Sequence, residues 1–190
     1  MRPLVISHAA CGGHAPENTL AGIRKAIDLG SDAIEIDVQA SADGVPVLMH
    51  DLTVDRTTSG SGTVAKMAFA ELRALDAGGE PVPSLAEALA ITKGRALLVM
   101  ELKQPGIQEA VAGVVREANA LGDVMAWSFF PQALARMRAA EPRVPCALLI
   151  AAESLPRWAQ MREMAVRLGL AGAEGLEPPT CGFGDRCSSS

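Results

Sequence analysis

Four short apolar segments of this chain each run straight into residues that can do chemistry, and that pattern limits the folds open to it. Leu4–Ser7 leads into His8, and Asp32–Ile34 leads into Glu35-Ile36-Asp37. Val45–Met49 leads into His50-Asp51, and Leu97–Met100 into Glu101-Leu102-Lys103. Continuous apolar runs of this length are how strands buried on both faces are written. In barrels of parallel strands the active site gathers at the C-terminal strand ends, with residues drawn from several strands. An unpartnered charge there is costly. Two histidines, three carboxylates and a lysine at equivalent strand ends therefore point to a site.

Between these runs the spacing predicts helices. Strand one covers Leu4–His8 and a loop, Ala9–Pro16, follows. Leu20, Ile23, Ala26 and Ile27 share one face of a helix over Thr19–Leu29, with Asn18 as its N-cap and Gly30 as its stop. Strand two is Asp32–Val38 and strand three Val45–His50. The turn signal Ala42-Asp43-Gly44 between them leaves no room for a full helix. A polar excursion follows, with a short helix over Ala68–Leu75. Ser84 and Glu87 form a capping box for Leu85–Leu89. Strand four (Ala96–Lys103), a helix (Ile107–Leu121, closed by Gly122), strand five (Val124–Phe129), a helix from Pro131 to Ala140, strand six (Cys146–Ala151) and a helix (Arg157–Leu168) complete the alternation. Repeating βα units imply an α/β fold with a parallel sheet and right-handed crossovers. Closing such a sheet as a TIM-type (β/α) barrel takes eight strands; six are visible here. The expected organisation is an incomplete barrel over residues 1–170 and an irregular tail over 171–190, with residues 176–190 forming no packed strand. Open edges at strands one and six would then favour self-association.

Composition narrows the function. A net charge of −5 gives no footprint for nucleic acid and no basic patch for anionic membrane. No run is long enough to span a membrane, and Met1–Ile6 is too short for a signal-peptide core, so a cytoplasmic setting is expected. The four cysteines, Cys11, Cys146, Cys181 and Cys187, show no metal-binding spacing and read as reduced thiols.

Glu35 and Asp37 are two apart on a strand and share a face; Glu101 and Lys103 repeat that arrangement. Three inward carboxylates repel unless a cation is present. A hard divalent ion, Mg²⁺ or Ca²⁺, answers this with oxygen ligands; ion pairs with Lys103 and an arginine are the other answer. His8 and His50 are candidate acid/base groups near neutral pH, or else polar core residues satisfied by hydrogen bonds. His14 lies in the glycine-bearing loop and could line the mouth.

In order along the chain, His8-Ala9-Ala10-Cys11-Gly12-Gly13-His14-Ala15-Pro16-Glu17-Asn18-Thr19, Ile34-Glu35-Ile36-Asp37-Val38, Asp43-Gly44, His50-Asp51, Arg56-Thr57-Thr58, Gly60, Gly62, Glu101-Leu102-Lys103 and Ser128-Phe129 resemble the motifs of the glycerophosphodiester phosphodiesterase family. The resemblance covers roughly residues 4–150. It implies a TIM-barrel enzyme that hydrolyses glycerophosphodiesters to glycerol 3-phosphate and an alcohol. It further implies His8 and His50 as the acid/base pair, and Glu35, Asp37 and Glu101 as ligands of a divalent cation. Lys103 would face the phosphate and Glu17 would support the substrate side. Two departures stand out. Ala9 occupies the position where the family usually carries Arg, so Lys103 and Arg56 would have to compensate. The last twenty residues resemble nothing in the family pattern. Both departures favour an alternative, a catalytically impaired phosphate- or metal-binding remnant. A sugar isomerase of similar architecture is disfavoured by the order of the motifs.

Overall fold

The computed structural model describes residues 2–150 and 158–167. The elements are β1 (Ile6–Ser7), α1 (Leu20–Asp28), β2 (Ala33–Ala40), β3 (Pro46–Leu48), α2 (Phe69–Arg73), α3 (Leu85–Thr92), β4 (Leu97–Leu102), α4 (Gln108–Glu117), β5 (Val124–Ser128), α5 (Pro131–Ala140), β6 (Cys146–Leu148) and α6 (Trp158–Arg167). Strands β1, β2, β4, β5 and β6 lie side by side in that order and all run parallel. This is the expected barrel arc. The expected tail over 171–190 and the end of strand six at Ala151 lie outside the described residues. No helix among the described residues is long and apolar enough to cross a membrane.

One strand departs from the parallel scheme. β3 turns back on β2 as an antiparallel partner, with Val38 opposite Leu48 and Ala40 opposite Pro46. The tight turn at Asp43-Gly44 allows nothing else, since a parallel connection needs a crossover of a dozen residues or more. Gly44 takes φ +81° and donates its N–H to Ser41, closing that turn.

The sheet's two faces differ in kind. Ile34, Ile36 and Val38, with Leu98, Met100 and Leu102, point outward and are fully buried under α1, α3, α4 and α5. The other face carries Glu35, Asp37 and Gln39 on β2, and Glu101 on β4. A second, smaller cluster of Val47, Met49, Val54, Val64, Leu72, Ala77 and Val82 gives the excursion after β3 its own core.

Several boundaries differ from the sequence reading for local reasons. Asn18 is not the N-cap of α1; Thr19 is, accepting the Gly22 N–H at 3.1 Å. Asn18 is turned elsewhere, as described below. α4 stops well before Gly122, because Asn119 takes a left-handed φ of +51°, which asparagine tolerates better than most residues. β1 is only two residues long, and His8 belongs to a tight turn over His8–Ala10 rather than to the strand. The capping box of Ser84 and Glu87 forms as expected, with Glu87 accepting the Ser84 N–H at 2.9 Å.

Candidate active site

Strand register explains how residues distant in sequence meet. β1 pairs only with the lower part of β2, Ser7 lying opposite Ile34. β3 pairs with the upper part, and the Met49 N–H donates to the Asp37 carbonyl at 3.0 Å. β4 fills the other side of β2 along its length, so β1 and β3 share one edge. One chain climbs that edge and the other descends it. His8 leaves β1, and His50 leaves β3, on either side of the level set by Glu35 and Asp37. The sequence reading treated His50 as the end of another parallel strand. It reaches this level because its strand is antiparallel.

Asp37 lies directly beside Glu101 across the β2–β4 pair. One carboxylate oxygen from each of Glu35, Asp37 and Glu101 lies within 4.8 Å of the other two. Glu35 is 4% exposed and Asp37 is fully buried, so each needs partners. Glu35 Oε2 accepts the Ala9 N–H at 2.8 Å. Asp37 Oδ2 accepts from the Asn18 amide at 2.7 Å, and Asn18 Oδ1 accepts the Asp37 N–H at 2.9 Å. Lys103 donates to Glu101 at 2.8 Å, and its ammonium stands 3.2 Å from Asp37 Oδ1. Asp37 Oδ1 is thus met by the Lys103 ammonium, whereas the buried Glu35 Oε1 has no hydrogen-bond partner among the described residues. Burial pushes the Glu35 carboxyl up to about 7 against the pull of the Ala9 N–H, and the charges of Asp37 and Glu101 add to the rise. Lys103 is held above its usual range: burial opposes this, but its bond to Glu101 and the charge of Asp37 outweigh it.

Three carboxylates against one ammonium leave two formal negative charges. One buried oxygen, Glu35 Oε1, has no partner among the described residues. Both facts fit a hard divalent cation taking oxygen ligands, beside a Lys103 ammonium that already pairs with Asp37 and Glu101. His8 stands at the mouth, largely exposed, with Nε2 4.0 Å from Glu35 Oε2.

The turn that carries His8 is strained. Ala9, Ala10 and Cys11 all have positive φ, at 48°, 55° and 79°. Left-handed residues other than glycine cost roughly 1–2 kcal/mol each. In return, the Ala9 N–H is aimed at Glu35. Ala9 contributes this bond through its backbone, so the missing arginine side chain leaves the Glu35 contact intact.

A second group of charges surrounds His50. Its Nδ1 lies 2.7 Å from Asp51 Oδ1. Arg56 donates Nε to Asp51 Oδ2 at 2.6 Å and Nη2 to Asp51 Oδ1 at 3.0 Å. Its Nη1 and Nη2 donate to Glu17 at 3.0 and 2.7 Å. Arg56 was expected to help Lys103 offset the missing arginine; four of its five N–H groups are already taken by carboxylates, so it has little left for a phosphate. Those bonds hold the Asp51 carboxyl down at about 2, with burial opposing and His50 assisting. Glu17 lines the same small recess as His50, Asn18 and Thr57.

Asn18, Gln39 and Asp51 were not read as site residues. Gln39 is buried, and its amide donates to the carbonyls of Met49 at 2.9 Å and His50 at 3.3 Å, and also to that of Asp51. The signal for Gln39 was present: it continues the two-residue period of Glu35 and Asp37. Asn18 gave none, because a residue before a helix reads first as a cap. His14 approaches Cys11 Sγ at 3.8 Å.

Residues 8–175 match the Glycerophosphoryl diester phosphodiesterase family. A glycerophosphodiester phosphodiesterase of Caldanaerobacter subterraneus is 35% identical over 182 residues, covering 88% of this chain and 73% of that protein. Glycerophosphodiester phosphodiesterase 1 of Bos taurus is 35% identical over 162 residues, covering 78% of this chain; the chain spans 49% of its length. Among solved structures, an Oleispira antarctica phosphodiesterase in complex with the product sn-glycerol-3-phosphate aligns with a TM-score of 0.76 at 33% identity, over 89% of this chain and 73% of the other. A glycerophosphodiester phosphodiesterase from Agrobacterium tumefaciens aligns at 0.73 and 33% identity, over 89% and 84%. The matched stretch starts at His8 and takes in every residue of both charged groups, and on that basis the chain belongs to the glycerophosphoryl diester phosphodiesterase family.

Proposed function

We propose that this chain hydrolyses glycerophosphodiesters to glycerol 3-phosphate and an alcohol, with a divalent cation held by Glu35, Asp37 and Glu101. The observation that carries the reading is the trio of converging carboxylates, in excess over a single ammonium and with the buried Glu35 Oε1 left without a hydrogen-bond partner. A bound Mg²⁺ or Ca²⁺ would polarise the phosphoryl oxygens and offset their charge. Lys103, on the rim of the trio, would clamp the phosphate electrostatically as negative charge builds in the transition state. His8 and His50 would take a proton from the attacking hydroxyl and give one to the leaving alkoxide. Glu17 acts from the substrate side of the same recess, with its carboxylate held by Arg56.

The test is release of glycerol 3-phosphate from choline, ethanolamine, glycerol and inositol diesters, with chelator and with Mg²⁺ or Ca²⁺ restored. Release that stops in chelator and returns with the ion supports the reading. Full release in excess chelator, with no metal bound, refutes the cation's role. Ala9 favours a second reading, a member that binds the ion and phosphate but turns over poorly. Ion binding without product release would mark that case.

A further inference from the structure

We infer that Arg56 is a positioning residue for His50: acting through Asp51 and anchored by Glu17, it sets which imidazole nitrogen works on the substrate and how readily that nitrogen holds a proton. The role of His50 in turnover rests on the reading above; the positioning itself does not.

The geometry has three parts. First, the short contact of His50 Nδ1 with Asp51 commits that nitrogen to donation. Nε2 is then the nitrogen left to exchange a proton. Second, Asp51 is not free to swing away. Arg56 grips both of its oxygens along one edge of the guanidinium and both oxygens of Glu17 along the other. A bidentate grip on Asp51, from a guanidinium itself held bidentately by Glu17, fixes that carboxylate far better than one exposed pair does. Third, the anchors come from separate stretches. Glu17 lies in the loop after β1, His50 and Asp51 follow β3, and Arg56 sits in the excursion packed on its own core. The Gln39 amide holds the backbone of the His50-Asp51 step from below. The His50 ring is thus referenced to both strands of the shared β2 edge.

Charge gives this arrangement a direction. The charged groups gathered around His50 are Asp51 from its own stretch, Arg56 from the following loop and Glu17 from the loop after β1; Asn18 and Thr57, which line the recess with it, are uncharged. With His50 neutral these groups sum to one negative charge, and a proton on His50 cancels it. Removing Arg56 doubles the negative charge and favours the proton. Removing either carboxylate cancels the charge and disfavours it. A group with a merely structural role would lower activity without moving titration in opposite directions.

The chain has three histidines, so ring signals can be assigned with a His50→Gln control. The experiment is ¹⁵N and ¹H NMR titration of the full chain in Mg²⁺ buffer, for wild type and for Arg56→Gln, Arg56→Lys, Asp51→Asn and Glu17→Gln. We expect the neutral His50 ring to carry its proton on Nδ1. The His50 midpoint should rise by roughly half a pH unit or more in Arg56→Gln, the scale of one lost, partly screened charge acting through the Asp51 partner. It should fall in Asp51→Asn and Glu17→Gln, and Arg56→Lys should lie between wild type and Arg56→Gln. If Arg56→Gln fails to fold, the two carboxylate variants carry the test alone. A wild-type Nε2–H tautomer, or a His50 midpoint unmoved in every folded variant, overturns the inference. Neither readout depends on turnover. Absence of product release with these shifts intact would count against the phosphodiesterase reading alone.

Discussion

At the scale of single residues, Glu35 couples ion binding to pH. Its carboxyl is raised to about 7 by burial, so below that pH an incoming ion must displace a proton. Mg²⁺ or Ca²⁺ affinity, measured by calorimetry, should weaken about tenfold per pH unit below 7 and level off above it. In the metal-free protein the sign on stability is negative. The folded state binds more protons than the unfolded chain between about 4.5 and about 7, so stability falls as pH rises through that window. An ion reverses this, and Glu35→Gln removes the pH slope in denaturant titrations. Ala9 sets a second expectation. An arginine there adds a donor near the phosphate, and Ala9→Arg should raise kcat/KM by roughly tenfold or more, while His8→Ala abolishes turnover in either background. Unchanged kinetics in folded Ala9→Arg would show that the missing guanidinium does not limit the rate.

At the scale of elements, Gly22 seats α1 against the His8 turn. A side chain there would place its first carbon 2.3 Å from the Ala10 carbonyl oxygen, a distance no packing tolerates. Gly22→Ala should therefore destabilise by about 3 kcal/mol or more in urea titrations and lower activity with it, because backbone atoms must move on both sides. Much of this element structure is legible in sequence. The apolar runs of β2 and β4, the capping box at Ser84 and the Pro131 start of α5 are local signals, and each forms close to where its residues place it. The polarity of β3 was equally local, since the turn at Asp43-Gly44 implies a hairpin, but the repeating strand–helix rhythm overrode it. The metal-site candidates were legible because period-two spacing converts directly into a shared face. Asn18 and Arg56 were misassigned because their partners, Asp37 and Glu17, are distant in sequence, and pairing across such gaps is set by tertiary register alone.

At the scale of the whole molecule, the sheet of the described residues runs from β1 at one side to β6 at the other. Among the described residues β1 pairs only with β2, and β6 only with β5. Leu4, Val5 and Ile6 lie 74%, 53% and 43% exposed along the β1 edge, an uncharged stretch of the kind that recruits other strands. The chain should associate with rising concentration in sedimentation experiments. Val5→Lys should suppress that association while leaving ion affinity unchanged, because a lysine on an edge opposes further pairing. A purely monomeric wild type would show that the edge is protected.

The excursion between β3 and α3 has a meaning beyond holding Arg56. Its apolar residues pack on one another and on Val47 and Met49, apart from the main sheet–helix interior. It is therefore an exchangeable cassette: its outer turns can lengthen or change composition at little cost to the barrel, provided Arg56 keeps its place. Change confined to those turns leaves the carboxylate trio untouched on the sheet beneath.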